Sequence, residues 1–152
     1  MHLQRKVWRF ERVGWYVLLL IMLLTLLGAF SKGPLSDRQA QSDDGRLVVS
    51  YEALARNGGS SRLVVQLRGR PGEPLAVTLR GELLDGFSID SLQPQPLAST
   101  SGKDALMFTL GADAHGDAML YIGLRADGVG RFHSELQLAG GPPLPLTHFI
   151  YP

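Results

Sequence analysis

The sequence predicts an all-β domain carried behind one amino-terminal apolar helix. Three observations predict it: an uncharged, proline-free run over 13–30, a period-two alternation of apolar residues from Leu47 onward, and turn-forming residues at short intervals between the alternating segments. A chain of 152 residues has room for one domain and an appendage. It has 15 basic and 14 acidic residues, so no basic field draws in nucleic acid. The absence of cysteine excludes disulfide scaffolds, thiolate metal sites, iron-sulfur clusters and cysteine nucleophiles.

The first element is the apolar run. Between Val17 and Leu27 only Thr25 interrupts it, and residues 13–30 as a helix would rise about 27 Å, close to a hydrocarbon core of about 30 Å. That predicts a transmembrane helix, with Trp15 and Tyr16 at one end and Phe30 at the other as interfacial anchors. A cleaved signal peptide is the alternative, because Ala29-Phe30-Ser31 offers small residues at a cleavage position. Arg5, Lys6, Arg9 and Arg12 precede the run, against Lys32, Arg38 and Arg46 after it. By the positive-inside bias, residues 1–12 form a basic cytoplasmic tail and the rest lies outside, in the periplasm of a bacterium. The expected location is the bacterial inner membrane, single-pass. Thr25 and Ala29 form a small-xxx-small pair with Gly28 beside them, a candidate helix-contact face.

Residues 31–45 are polar, with Gly33-Pro34 at their start, and read as a tether. The domain follows over 46–152. Leu47, Val49 and Tyr51 alternate first, then Leu63, Val65 and Leu67, then Leu75, Val77 and Leu79. Phe87 and Ile89 form a shorter candidate; Leu106, Phe108 and Leu110, then Leu120, Ile122 and Leu124, then Phe132, Leu136 and Leu138 repeat the pattern. Residues 144–151 close the sheet. Asn57-Gly58-Gly59, Arg70-Pro71-Gly72, Ser101-Gly102-Lys103, His115-Gly116-Asp117 and Gly140-Gly141-Pro142 supply turns. The gaps are too short for crossover helices, although 81–86 has space for one helical turn. The expectation is an Ig-like antiparallel β-sandwich of about seven strands.

The sequence contains no catalytic constellation. His2, His115, His133 and His148 show no metal-ligand spacing, no serine sits in a G-x-S-x-G elbow, and no glycine-rich turn carries the Lys-Ser/Thr of a phosphate loop. No metal, no cofactor and no enzymatic activity are expected. Tyr51 and Glu52 with Arg56 place opposite charges four apart, an ion pair if the segment is helical and otherwise a partner-contact candidate. The closing Phe149-Ile150-Tyr151-Pro152 is apolar to its last residue, so Phe149 and Tyr151 pack either within the sandwich or against another protein.

Phe10-Glu11-Arg12-Val13-Gly14-Trp15, Gly33-Pro34-Leu35-Ser36, Tyr51-Glu52 with Arg56, and Phe149-Ile150-Tyr151-Pro152 together resemble a group of small bacterial single-pass inner-membrane proteins with an Ig-like periplasmic domain. The resemblance implies companions of polytopic membrane proteins, among them the YetF type. The architecture is also similar to cytochrome oxidase copper-assembly proteins, but those need cysteine ligands that this chain lacks. The expected function is a membrane-anchored accessory or scaffold subunit, with the bilayer and an integral membrane protein as partners. The second expectation is an anchored periplasmic ligand-binding or sensing module, which needs a concave apolar pocket.

Overall fold

The computed structural model describes residues 2–26 and 36–152, which divide into two units, one ending at Asp37 and one starting at Arg38. The first unit holds α1 (His2–Leu26), a continuous 25-residue helix. It begins well before the apolar run, because nothing in the basic segment breaks a helix. Trp15 and Tyr16 are both 69% exposed on it, and the Thr25 hydroxyl donates to the Ile21 carbonyl oxygen at 2.7 Å, one turn back.

This unit corrects the expected location. No helix among the described residues is long and apolar enough to cross a membrane. Half of α1 carries Arg5, Lys6, Arg9, Glu11 and Arg12, which dilutes its apolar character. The single-pass inner-membrane anchor, with its cytoplasmic tail and periplasmic domain, is therefore not supported. Gly28, Ala29 and Phe30 lie outside the described residues.

The second unit is a two-sheet β-sandwich. Its strands are β1 (Asp37–Gln41), β2 (Leu47–Glu52), β3 (Leu54–Arg56), β4 (Ser60–Arg68), β5 (Pro74–Gly81), β6 (Phe87–Gln93), β7 (Ala98–Ser101), β8 (Ala105–Gly111), β9 (Asp117–Ala126), β10 (Gly130–Leu138) and β11 (Pro143–Tyr151). One sheet runs β1-β2-β4-β9-β6 and the other β3-β11-β10-β5-β8-β7. The alternation read from the sequence sets the buried face: Leu63, Val65, Leu75, Val77, Leu79, Leu120, Ile122, Leu124, Leu136 and Leu138 all point into the core. A single helical turn, α2 (Leu83–Gly86), bridges β5 and β6 and buries Leu83.

There are more strands than the expected seven among the described residues, in part because three short ones, β1, β3 and β7, add to those read from the sequence. β1 lies within the segment read as tether, and β3 is made when the chain leaves β2 and crosses to the other sheet at Ala53. β3 then runs parallel to β11, which departs from the all-antiparallel expectation. Glycine is required where two turns meet. Gly116 has φ +87°, and a Cβ there would lie 2.3 Å from the Gly69 carbonyl oxygen, whose own amide donates to the Gly116 carbonyl at 2.8 Å.

Three polar side chains break the apolar core: Ser61, Ser134 and His148, whose buried hydroxyls and ring nitrogens have no hydrogen-bond partner among the described residues. A buried hydroxyl without a partner costs desolvation and returns nothing. Ser134→Ala is therefore expected to raise unfolding free energy by about 1 kcal/mol in urea titration, whereas a fall would reveal a bond to an ordered water.

Candidate functional site

β11 has buried and exposed residues in strict alternation, and the phase decides what each does. Leu144, Leu146, His148 and Ile150 point inward, and Pro145, Thr147, Phe149 and Tyr151 point outward. Phe149 and Tyr151 thus stand on the outer face, 42% and 37% exposed, and not in the core. Phe149 is in register with Leu54 on one side and Arg131 on the other, and Tyr151 with Arg56. Leu54 is itself 45% exposed, so three large apolar side chains share one corner of the sheet between two arginines. Arg56 and Arg131 are exposed, and their guanidinium groups have no salt bridge or side-chain hydrogen bond among the described residues.

The corner is held from beneath. The Phe149 amide donates to the Ala53 carbonyl at 2.8 Å and the Asn57 amide to the Tyr151 carbonyl at 2.8 Å, which tie β3 to β11 at both ends. On the inner face His148 is 1% exposed and lies between aromatic rings, with Tyr51 at 4.9 Å and Phe87 at 5.4 Å between centroids. Burial pushes its pKa down from 6.5 to about 4, and no charged group opposes that effect. His148 is thus a core residue. It does not meet His133, whose Nδ1 lies 3.2 Å from the Thr147 hydroxyl on the outer face. The two histidines sit one register position apart and face opposite ways.

The remaining sequence-predicted contacts divide. Tyr51 and Glu52 are half-buried at the end of β2, with Tyr51 turned inward against His148, while Arg56 is exposed at the end of β3. The segment between them is extended, so the four-residue spacing never brings Glu52 to Arg56, and no ion pair joins them. Leu54 and Arg131 are absent from the sequence-based candidates. Neither belongs to a motif, and only the strand register places them beside Phe149.

A groove of about 400 Å³ lies on the outer face of the other sheet, lined in part by Arg46, Val48, Gln66, Arg68, Asp113, Asp117 and Met119. Its charged side chains are engaged, one pair with each other and the rest with backbone groups. The Arg68 Nε donates to Asp117 Oδ1 at 3.1 Å, the Arg46 Nε donates to the Arg68 carbonyl, and Asp113 accepts the backbone amides of His115 at 2.8 Å and Asp117 at 2.9 Å. Those two amides hold the Asp113 carboxyl below its usual range. Among the described residues no three His, Asp or Glu side chains gather where a metal ion would be held.

No family model matches the chain and no curated relative does. Among solved structures, it is similar to the cohesin module of a family 33 glycoside hydrolase from Clostridium perfringens, at 8% identity over 74% of this chain and 96% of that one, with a TM-score of 0.45. It is also similar to the cupredoxin domain of amoB from Nitrosocaldus yellowstonii, at 18% identity over 61% and 56% with a TM-score of 0.38. The chitin-binding domain of a Pyrococcus furiosus chitinase aligns at 12% identity over 75% and 98%, with a TM-score of 0.37. Likenesses at this level assign no ligand and no partner to this chain.

Proposed function

We propose that this chain is an accessory binding subunit. Its Ig-like sandwich docks onto another protein through the outer corner of β3 and β11, and its activity is association, not turnover. The observation that carries the reading is the composition of that corner: Leu54, Phe149 and Tyr151 exposed together, flanked by the unengaged guanidinium groups of Arg56 and Arg131. Aromatic side chains and arginine are the residue types enriched where protein interfaces concentrate their binding energy. The partner's complementary site is apolar and carries carboxylates at its rim, because two cations frame the patch. The groove on the opposite sheet is the weaker candidate for a site, since Arg68 and Asp117 pair with each other and Arg46 and Asp113 bond to backbone groups.

A benzophenone amino acid placed at position 149, with the same group at exposed Ser60 as control, tests the docking face by irradiation in native cell extract. A protein adduct formed from position 149 and absent from position 60 supports the reading, and its identity shows directly whether the partner is a polytopic membrane protein. Identical adducts from both positions, or none from 149, overturn it.

A further inference from the structure

The outer face of the five-stranded sheet carries an ordered set of side chains that the docking corner does not use. Strand register sets them in rows across β2, β4 and β9. Arg68 pairs with Asp117 in the first row, Val48, Gln66 and Met119 form the second, and Ser50, Val64 and Tyr121 the third. The groove of about 400 Å³ covers the first two rows, and Gln41 on β1 also lines it. Met119 is 39% exposed and Tyr121 43%, on the same face of β9. Apolar contact surface thus continues out of the groove onto an aromatic ring, flanked by planar polar side chains.

The bonds that hold the charged side chains leave atoms over. Arg68 gives Nε to Asp117 Oδ1 and Arg46 gives Nε to the Arg68 carbonyl, so the terminal nitrogens of both guanidinium groups have no hydrogen-bond partner among the described residues. Asp113 accepts both of its amides at Oδ1, which leaves Oδ2 without a bond among the described residues, as is Asp117 Oδ2. Each side chain is fixed by one edge and presents the other, the arrangement that lowers the ordering cost of binding. Two arginines and two aspartates line the groove, so it offers a charged ligand no excess of the opposite sign.

We propose that this face binds a neutral glycan, a flat chain of glucose rings linked as in cellulose. Every ring hydroxyl in such a chain is equatorial. The faces of the ring therefore present only C–H groups, and its edges present neighbouring hydroxyls that both donate and accept. Val48, Met119 and the Tyr121 ring supply the apolar contact to the ring faces. The guanidinium, carboxylate and carboxamide groups each set two polar atoms in one plane, which suits a pair of neighbouring hydroxyls. An extended peptide fits less well, because its backbone groups need a strand edge and the face of a sheet offers only side chains. From Arg68 to Val64 the three rows span about 14 Å along the strands, so the site takes a chain and not a single sugar. This face belongs to the sheet that does not contain β3 and β11, and the proposal does not depend on what their corner binds.

Titration of cellohexaose into the isotope-labelled protein, followed by amide chemical shifts, tests the site. The shifts are expected to centre on Gln66, Met119 and Tyr121 and to saturate below millimolar ligand. Gln66→Ala, Met119→Ala and Tyr121→Ala remove exposed side chains and leave the core intact, and each is expected to weaken binding at least about fivefold. Maltohexaose, the same sugar linked into a curved chain, is expected to bind at least about tenfold more weakly than cellohexaose. Replacing Phe149 and Tyr151 by alanine is expected to leave glycan binding unchanged, which separates this site from the docking corner. Absence of shifts at millimolar cellohexaose overturns the proposal. Binding that the three alanine variants leave unchanged, or equal affinity for the two glucans, overturns it as well.

Discussion

Taking the protein from pH 7 to pH 4 is expected to remove about 3 kcal/mol of folding stability through one side chain, His148. In the unfolded chain its imidazole protonates near 6.5, and in the fold only near 4, because the ring is sealed between Tyr51 and Phe87 with neither nitrogen hydrogen-bonded. Between those two values the unfolded state binds more protons than the folded one. Stability is therefore complete above about pH 6.5, falls as the pH drops through this window, and stops falling on this account below about pH 4. Urea titrations at a series of pH values read the slope. His148→Phe is expected to flatten it, since it keeps an aromatic ring in the space and removes the titrating group. If the slope between pH 6.5 and 4 persists in that variant, another group is responsible. Asp44 and Asp113 do not fill that role, because both carboxyls are held below their ordinary range and lose their contribution only at lower pH.

Truncating Phe149 and Tyr151 together to alanine is expected to weaken partner binding at least about thirtyfold, about 2 kcal/mol, while the sandwich stays folded. Both side chains stand outside the core, so their loss opens no cavity, and Ile150 between them keeps the strand anchored. Arg131→Glu is expected to weaken binding chiefly through slower association, because it reverses the charge at the rim of the patch and leaves the apolar contact in place. Calorimetric titration of the cross-linked partner measures the first effect, and stopped-flow mixing at two salt concentrations the second. Unchanged affinity in the double alanine variant rules out docking through this face. A large fall in thermal midpoint in the same variant would instead show that the two rings support the fold.

Much of this architecture is legible along the chain. The alternation at Leu63, Val65 and Leu67, and again at Leu120, Ile122 and Leu124, already assigns the buried face of two central strands, since a strand with one wet face leaves a period of two in its residues. The same logic reads β11 only in part. Leu144, Leu146 and Ile150 announce the inward phase, but an outward Phe149 and Tyr151 make the terminus look uniformly apolar and hide the alternation. β3 and β7 escape notice because a three- or four-residue strand is too short to establish a period.

The amino-terminal segment shows the limit of composition. An uncharged run suggests a span, but the helix reaches back to His2 through five charged positions, and among the described residues no helix is long and apolar enough to cross.

By itself, the amino-acid order determined the all-β class of the domain, the residues of its core and the positions of its turns. Each of these is set by near neighbours: the two-residue repeat of an extended backbone, and the conformations that glycine and proline permit. Tertiary structure alone decided that Leu54 and Arg131 stand beside Phe149, that His148 is buried and uncharged, and that Val48, Gln66 and Met119 form one row in a groove. Those facts depend on strand order and register, which join residues far apart in sequence through backbone hydrogen bonds that look the same whatever the side chains.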